Sequence, residues 1–232
     1  MKKDINQVRS SIEPYETSTY YDETYFDFQR KIGEFSGWAE TIKFTPYVSE
    51  VDTVVDFGCG GGYILKNISC AKKIGIEIND TARIVAEKTN GISAVKFVED
   101  LEDEVADIII SNHALEHCLS PRLELVNLLK KLKPDGRIIF FVPHEGINNK
   151  WFPGDVNNHL YTWNPMTLGN LFTSAGYEVE SCRPFYHIWP PFYLKIAKLG
   201  RQIFHLSSLV YGFLRKNNSQ VKILARRSIV KS

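Results

Sequence analysis

Several absences frame this sequence of 232 residues. No stretch approaches the roughly 20 consecutive apolar residues of a spanning helix, and the opening Met-Lys-Lys-Asp-Ile-Asn-Gln lacks the apolar run of a secretory signal. The expected location is therefore the cytoplasm. The four cysteines, Cys59, Cys70, Cys118 and Cys182, include no C-x-x-C pair. That excludes a zinc knuckle and a disulfide framework, and it leaves the thiols as small buried apolar groups. There is no internal repeat and no low-complexity tract. A formal charge of +1 gives no bulk electrostatic hold on nucleic acid, and no recognisable DNA or RNA module is present. The last absence is local: after Glu180 there is no acidic residue. Residues 181–232 carry ten basic side chains, whereas residues 1–180 carry 18 basic and 27 acidic ones. The C-terminal quarter is thus a separate electrostatic object inside a chain long enough for one large domain.

What is present alternates. Short β-branched runs at 53–57, 73–78, 94–98, 106–111 and 137–142 are apolar without interruption, as strands buried on both faces are, and helix-like segments separate them. Residues 177–183 and 220–227 alternate apolar and polar side chains and read as the last two strands, antiparallel to one another. The expectation is an α/β fold, a Rossmann-like doubly wound sheet of seven strands, mostly parallel with an antiparallel last strand. Ser120-Pro121 and Asn164-Pro165 mark helix starts, and a helix is expected from Pro121 to Lys133, ended by Pro134-Asp-Gly136. Residues 1–50 read as an N-terminal helical extension, with Tyr20, Tyr21 and Tyr25 as lid candidates ahead of a helix through Ile32, Phe35 and Ile42. Residues 51–232 form the main domain, with an insertion at about 184–217. Within the insertion, Ile196, Leu199, Ile203, Leu206, Val210 and Phe213 place one apolar stripe on a single basic helix, with Lys195, Lys198, Arg201 and His205 off it. Such a helix suits packing on the domain, capping of an active site or contact with an anionic membrane.

The chemistry concentrates in Val55-Asp-Phe-Gly-Cys-Gly-Gly-Gly-Tyr-Ile-Leu65. A buried strand enters a turn with four glycines in five residues and leaves it as a helix, so backbone N–H groups can approach a nucleotide-like ligand closely. Tyr63 occupies the place of the third glycine in G-x-G-x-x-G, which argues against a nicotinamide or flavin enzyme. Glu77 closes the second strand where a carboxylate meets ribose hydroxyls, and Asp100 follows the third strand at the same edge.

These residues resemble the class I S-adenosylmethionine-dependent methyltransferases of the small-molecule type, over roughly residues 50–183. The resemblance rests on Asp56-Phe-Gly-Cys-Gly-Gly-Gly62, Gly75-Ile-Glu77, Glu99-Asp100-Leu101, Ile110-Ser-Asn-His-Ala-Leu-Glu-His117 and Leu132-Lys-Pro-Asp-Gly-Arg137. It implies S-adenosyl-L-methionine as cofactor, bound by Asp56, Gly58, Cys59, Gly60, Glu77, Ile78, Asp100, Leu101, Asn112 and His113. Gly58, Cys59 and Gly60 would face the methionine part, Glu77 the ribose, Asp100 and Leu101 the adenine. Asn112 and His113 would lie beside the sulphonium. A hydroxyl acceptor needs a proton removed, and His144 and His159, in loops beyond the fifth strand, are the candidate bases. The acceptor implied is a small, sugar-, nucleotide- or lipid-linked molecule methylated on oxygen, with sugars of a surface polysaccharide first among them. The alternatives are a cofactor-binding protein without turnover and a membrane-peripheral enzyme acting on a lipid. His113-Ala-Leu-Glu-His117 spells H-x-x-E-H, a zinc-protease signature on a helix. Its place between a strand and a capped helix leaves no long helix to carry both imidazoles, so no metal is expected.

Overall fold

A computed structural model describes residues 23–153, 155, 157–215 and 220–228. Helix α1 (Glu23–Glu40) leads through two short 3-10 turns into β1 (Thr53–Phe57). There follow α2 (Tyr63–Lys66), β2 (Lys72–Ile76), α3 (Asp80–Asn90), β3 (Ser93–Val95), β4 (Ala106–Asn112), α4 (Pro121–Lys131) and β5 (Leu132–Pro143). The chain closes with α5 (Pro165–Ser174), β6 (Tyr177–Phe185), α6 (Tyr193–Ala197), α7 (Arg201–Leu214) and β7 (Gln220–Arg227). The seven strands form one sheet in the order β3-β2-β1-β4-β5-β7-β6. Strands β1 to β5 pair in parallel, and β7 pairs antiparallel with both β5 and β6. Only β7 runs backwards, because the chain returns through the insertion to enter between two strands already pointing the same way.

The uninterrupted apolar runs are explained by helices on both sides. Val55, Ile109, Phe140 and Val142 face a core with Leu125, Leu128, Leu168 and Phe172. Their neighbours Val54, Ile108, Ile110, Ile139 and Phe141 face a second core with Phe44, Leu65, Ile68 and Ile92. Successive strand residues point to opposite faces, so both parities must be apolar. Capping is uneven. Asn79 accepts from the Ala82 N–H at 2.9 Å, and Asn164 from that of Thr167 at 2.9 Å in a reciprocal capping box.

Four expectations need correction. Ser120 starts α4 without a side-chain cap bond, and Pro121 at the first helical position sets the start instead. Helix α4 ends at Lys131, two residues early, because Leu132 already pairs with Ala106; a register shift before Arg137 absorbs the Pro-Asp-Gly segment within β5. The single basic helix is two, α6 and α7, broken at Gly200 with φ +120°. Of the cysteines only Cys59 is buried, the other three being half-buried. Tyr20 and Tyr21 lie outside the described residues.

Candidate functional site

The strand order reverses between β1 and β4, and the carboxyl ends of these strands define the crevice where α/β sheets bind ligands. Ser111 donates from its hydroxyl to the Phe57 carbonyl at 2.8 Å, locking the two strand ends together. The glycine turn hangs on β2: the N–H groups of Gly58 and Cys59 both donate to the Ile76 carbonyl, at 2.9 and 3.1 Å. Each glycine has a different duty. A Cβ on Gly58 would meet the Ala114 Cβ at 2.3 Å, so this residue permits close packing of the loops after β1 and β4. Gly60 has φ +53°, and a Cβ placed on it would meet nothing within 4 Å, so its bare backbone faces open space. The Cys59 thiol turns away, buried against Gly75 in the second core, where burial and the neighbouring Glu77 push its pKa well up.

Glu77 ties the turn to the next loop. Its Oε2 accepts from the Gly60 N–H at 2.8 Å and its Oε1 from the Asn79 N–H at 2.8 Å. With the Ile78 N–H also directed at it, the carboxylate keeps acceptor capacity for one further donor. Burial raises its pKa against these stabilising N–H groups. Asp56 is buried beneath it, with a pKa raised well above the usual carboxylate value by burial and then by Glu77. Asp100 is exposed in a 3-10 turn and accepts from the Phe97 N–H at 2.9 Å, with Leu101 buried beside it. Ile78, partly buried, follows Glu77.

After β4, Asn112 Oδ1 accepts from Lys43 Nζ at 2.7 Å. Lys43 also reaches Gln220 Oε1 at 2.6 Å and forms a close ion pair with Glu40, which accepts from Trp189 Nε1 at 2.7 Å. Burial lowers the Lys43 pKa, opposed first by Glu40. This buried network joins the N-terminal extension, β4, β7 and the insertion at the crevice. No periodic signal in the chain marks Lys43 for this role. His113 follows in the left-handed region, φ +58°, a strained setting for a non-glycine residue. Its Nδ1 lies 3.4 Å from Glu116 Oε1.

The candidate bases differ. His144 Nδ1 lies 2.9 Å from the Trp163 carbonyl, which can only accept. The proton therefore sits on Nδ1 and leaves Nε2 basic. His159 Nδ1 pairs with Glu145 Oε1 at 2.8 Å, while its Nε2 points toward Glu116, 4.0 Å away.

Residues 28–182 match the methyltransferase-domain family, which is two thirds of the chain. The chain belongs to this family, the class I S-adenosylmethionine-dependent methyltransferases. It is 26% identical over 161 residues to the malonyl-[acyl-carrier protein] O-methyltransferase of Marinomonas sp. strain MWYL1, a match covering 63% of this chain and 57% of that protein. It is 32% identical over 123 residues to a protein-lysine N-methyltransferase of Saccharolobus islandicus, covering 47% and 71%. This methyltransferase chain thus spans about three fifths of the length of the O-methyltransferases it matches, 57% and 65% in two cases. Among solved structures, the methyltransferase bound to the Haloferax volcanii Trm112 activator has a TM-score of 0.65 at 17% identity, covering 90% of this chain and 97% of that one. A SAM-dependent methyltransferase from Archaeoglobus fulgidus gives 0.62 at 22%, covering 89% and 100%. These likenesses establish the fold. The family's cofactor fits the residues present, since a glycine turn with bare backbone at Gly60 stands beside a carboxylate with remaining acceptor capacity.

Proposed function

We propose that this protein transfers the methyl group of S-adenosylmethionine to an oxygen of a small or lipid- or sugar-linked acceptor. The carrying observation is Glu77 bonded to the Gly60 N–H, which sets a ribose-accepting carboxylate against the only glycine of the turn whose side-chain position meets nothing within 4 Å among the described residues. The bound cofactor supplies a carbon already activated for in-line displacement. The chain's part is placement and exclusion of water. Gly60 lets the backbone approach, Gly58 packs the turn against the loop after β4, Glu77 accepts from the ribose hydroxyls, and Asp100 and Leu101 flank the adenine. Asn112, held by Lys43, and His113 border the reacting centre. His144, its Nδ1 proton held by Trp163, takes the acceptor's hydroxyl proton on Nε2. Similarity to O-methyltransferases supports oxygen as the acceptor atom.

A lipid-linked acceptor is favoured by the insertion. The apolar stripe, for which the sequence left packing, capping and membrane contact open, points outward: Leu199, Ile203, Leu206, Val210 and Phe213 are 48–67% exposed. The opposite face, Phe204, His205, Ser208 and Gly212, is buried instead. Lys195, Lys198, Arg201 and Arg215 flank the stripe without any acidic partner in the insertion, a composition suited to an anionic bilayer surface.

The test is calorimetry with S-adenosylmethionine and its demethylated product, followed by donor consumption on candidate acceptors. Glu77→Ala is expected to weaken cofactor affinity about ten- to hundredfold, as the loss of hydrogen bonds to a charged acceptor does. Unchanged affinity in a variant that melts like the parent removes the assigned pocket. Tight binding with no consumption of donor by any acceptor favours a silent binding protein.

A further inference from the structure

Beneath the loop after β4 lies a cluster of which the methyl-transfer reading uses only His113. Glu116 is completely buried, and among the described residues neither of its carboxylate oxygens has a hydrogen-bond partner. A buried carboxylate left so is expensive, because an isolated charge loses several kcal/mol of hydration. Three imidazoles surround it. His113 Nδ1 stands 3.4 Å from Glu116 Oε1, and His117 Nε2 and His159 Nε2 stand 4.0 Å from that same oxygen. One donor atom each from Glu116, His117 and His159 lies within 4.8 Å of the others. Ligand atoms on a tetrahedral zinc are about 2.0–2.2 Å from the metal, hence roughly 3.4 Å apart, so the donor atoms draw together on binding and the His117 ring exchanges its bond to the Asn158 backbone for the metal.

The surroundings hold these donors in place. The N–H groups of Leu160 and Tyr161 donate to the Glu116 carbonyl at 3.0 and 3.3 Å, which anchors the loop bearing His159 against the turn bearing Glu116. The His117 and His159 rings meet edge to face, with centroids 4.9 Å apart. Glu145 accepts from His159 Nδ1 at 2.8 Å, which fixes the tautomer with a basic Nε2 turned inward. A carboxylate behind a ligating histidine is the usual outer support of a metal-bound imidazole.

We propose that Glu116, His117 and His159 bind one borderline divalent cation of the zinc type, with His113 available as a fourth donor. The nitrogen-rich donor set with one carboxylate selects zinc or cobalt over magnesium or calcium, which demand oxygen. The spacing of H-x-x-E-H alone does not make this site, since residues 115–117 form a single 3-10 turn; His159, more than forty positions on, completes it. Its use to the reaction rests on the methyl-transfer reading: the cation would hold an oxygen of the acceptor next to Asn112 and lower the pKa of its hydroxyl.

The experiment uses the untagged full chain, stripped with a chelator and titrated with zinc by calorimetry and with cobalt by visible absorption. One equivalent of zinc and a tetrahedral cobalt spectrum are expected. Glu116→Gln and His159→Ala should abolish both, and Glu145→Gln should weaken zinc about 10–100-fold, each variant melting like the zinc-free parent. Absence of saturable zinc binding, or binding undiminished in both Glu116→Gln and His159→Ala, overturns the proposal. S-adenosylmethionine affinity of the zinc-free protein is measured alongside, so failure of the cation site and failure of the cofactor pocket are read separately.

Discussion

Asp56 shows how a single residue can be kept for position rather than for charge. It sits beneath the glycine turn with Glu77 above, and burial raises its pKa well above the ordinary value. In the unfolded chain it ionises near pH 3.9. As pH rises past that point the unfolded state releases its proton first, and the native state loses stability until Asp56 itself ionises. Asp56→Asn keeps the shape and removes that slope. Urea unfolding should therefore find the variant more stable than the parent at pH 7 and the difference smaller at pH 4.5; each tenfold difference in proton affinity corresponds to about 1.4 kcal/mol. A variant less stable at both values would assign Asp56 an ionised role.

At the scale of elements, the insertion is held through its polar and aromatic face. Phe35 of α1 meets Trp189 at 4.9 Å and Phe204 of α7 at 5.4 Å between ring centroids, and Trp38 stacks on His205 at 5.8 Å. His187, at the end of the chain leaving β6, contacts His205 of α7, Nε2 to Nδ1, at 3.1 Å. Burial lowers the His187 pKa to about 4, opposed by Glu40 and aided by Lys43 and His205. The unfolded imidazole takes up a proton near pH 6.5, so stability at this contact is present above that value and is lost as pH falls toward 4. Hydrogen exchange corrected for intrinsic rates should show α7 losing protection between pH 7 and pH 5 while β4 and β5 keep theirs, and His187→Phe should remove most of that difference. Equal loss across α7 and the sheet would refute a local origin.

At the scale of the whole molecule, an acidic body carries a basic, apolar-edged appendage whose stripe faces away from both cores. Among the described residues no helix is long and apolar enough to cross a membrane, so this stripe would lie along a surface. Sedimentation with vesicles containing anionic lipid is expected to carry the protein down at low salt and less of it at high salt. Leu206→Asp combined with Val210→Asp should cut the bound fraction at least tenfold, since two charges replace exposed methyls that would enter the bilayer. Equal sedimentation with neutral and anionic vesicles, or with the double variant, would leave the stripe without a bilayer role.

The sheet and the glycine turn were legible in the chain because their signals are local. Buried parallel strands need apolar residues on both faces, and a tight turn with positive φ angles needs glycine, so Thr53–Phe57 and Gly58–Gly62 announced themselves. The sequence also determined that the insertion would carry an apolar stripe and a basic flank. It could not determine which way the stripe faces, because that depends on Phe35 and Trp38 of α1 claiming the other side of α7. Nor could spacing assemble Lys43 with Glu40, Asn112 and Gln220, or Glu116 with His159, since each set is drawn from elements far apart in the chain. Periodicity reports what one element needs from its surroundings; only the closed fold decides which distant residues supply it.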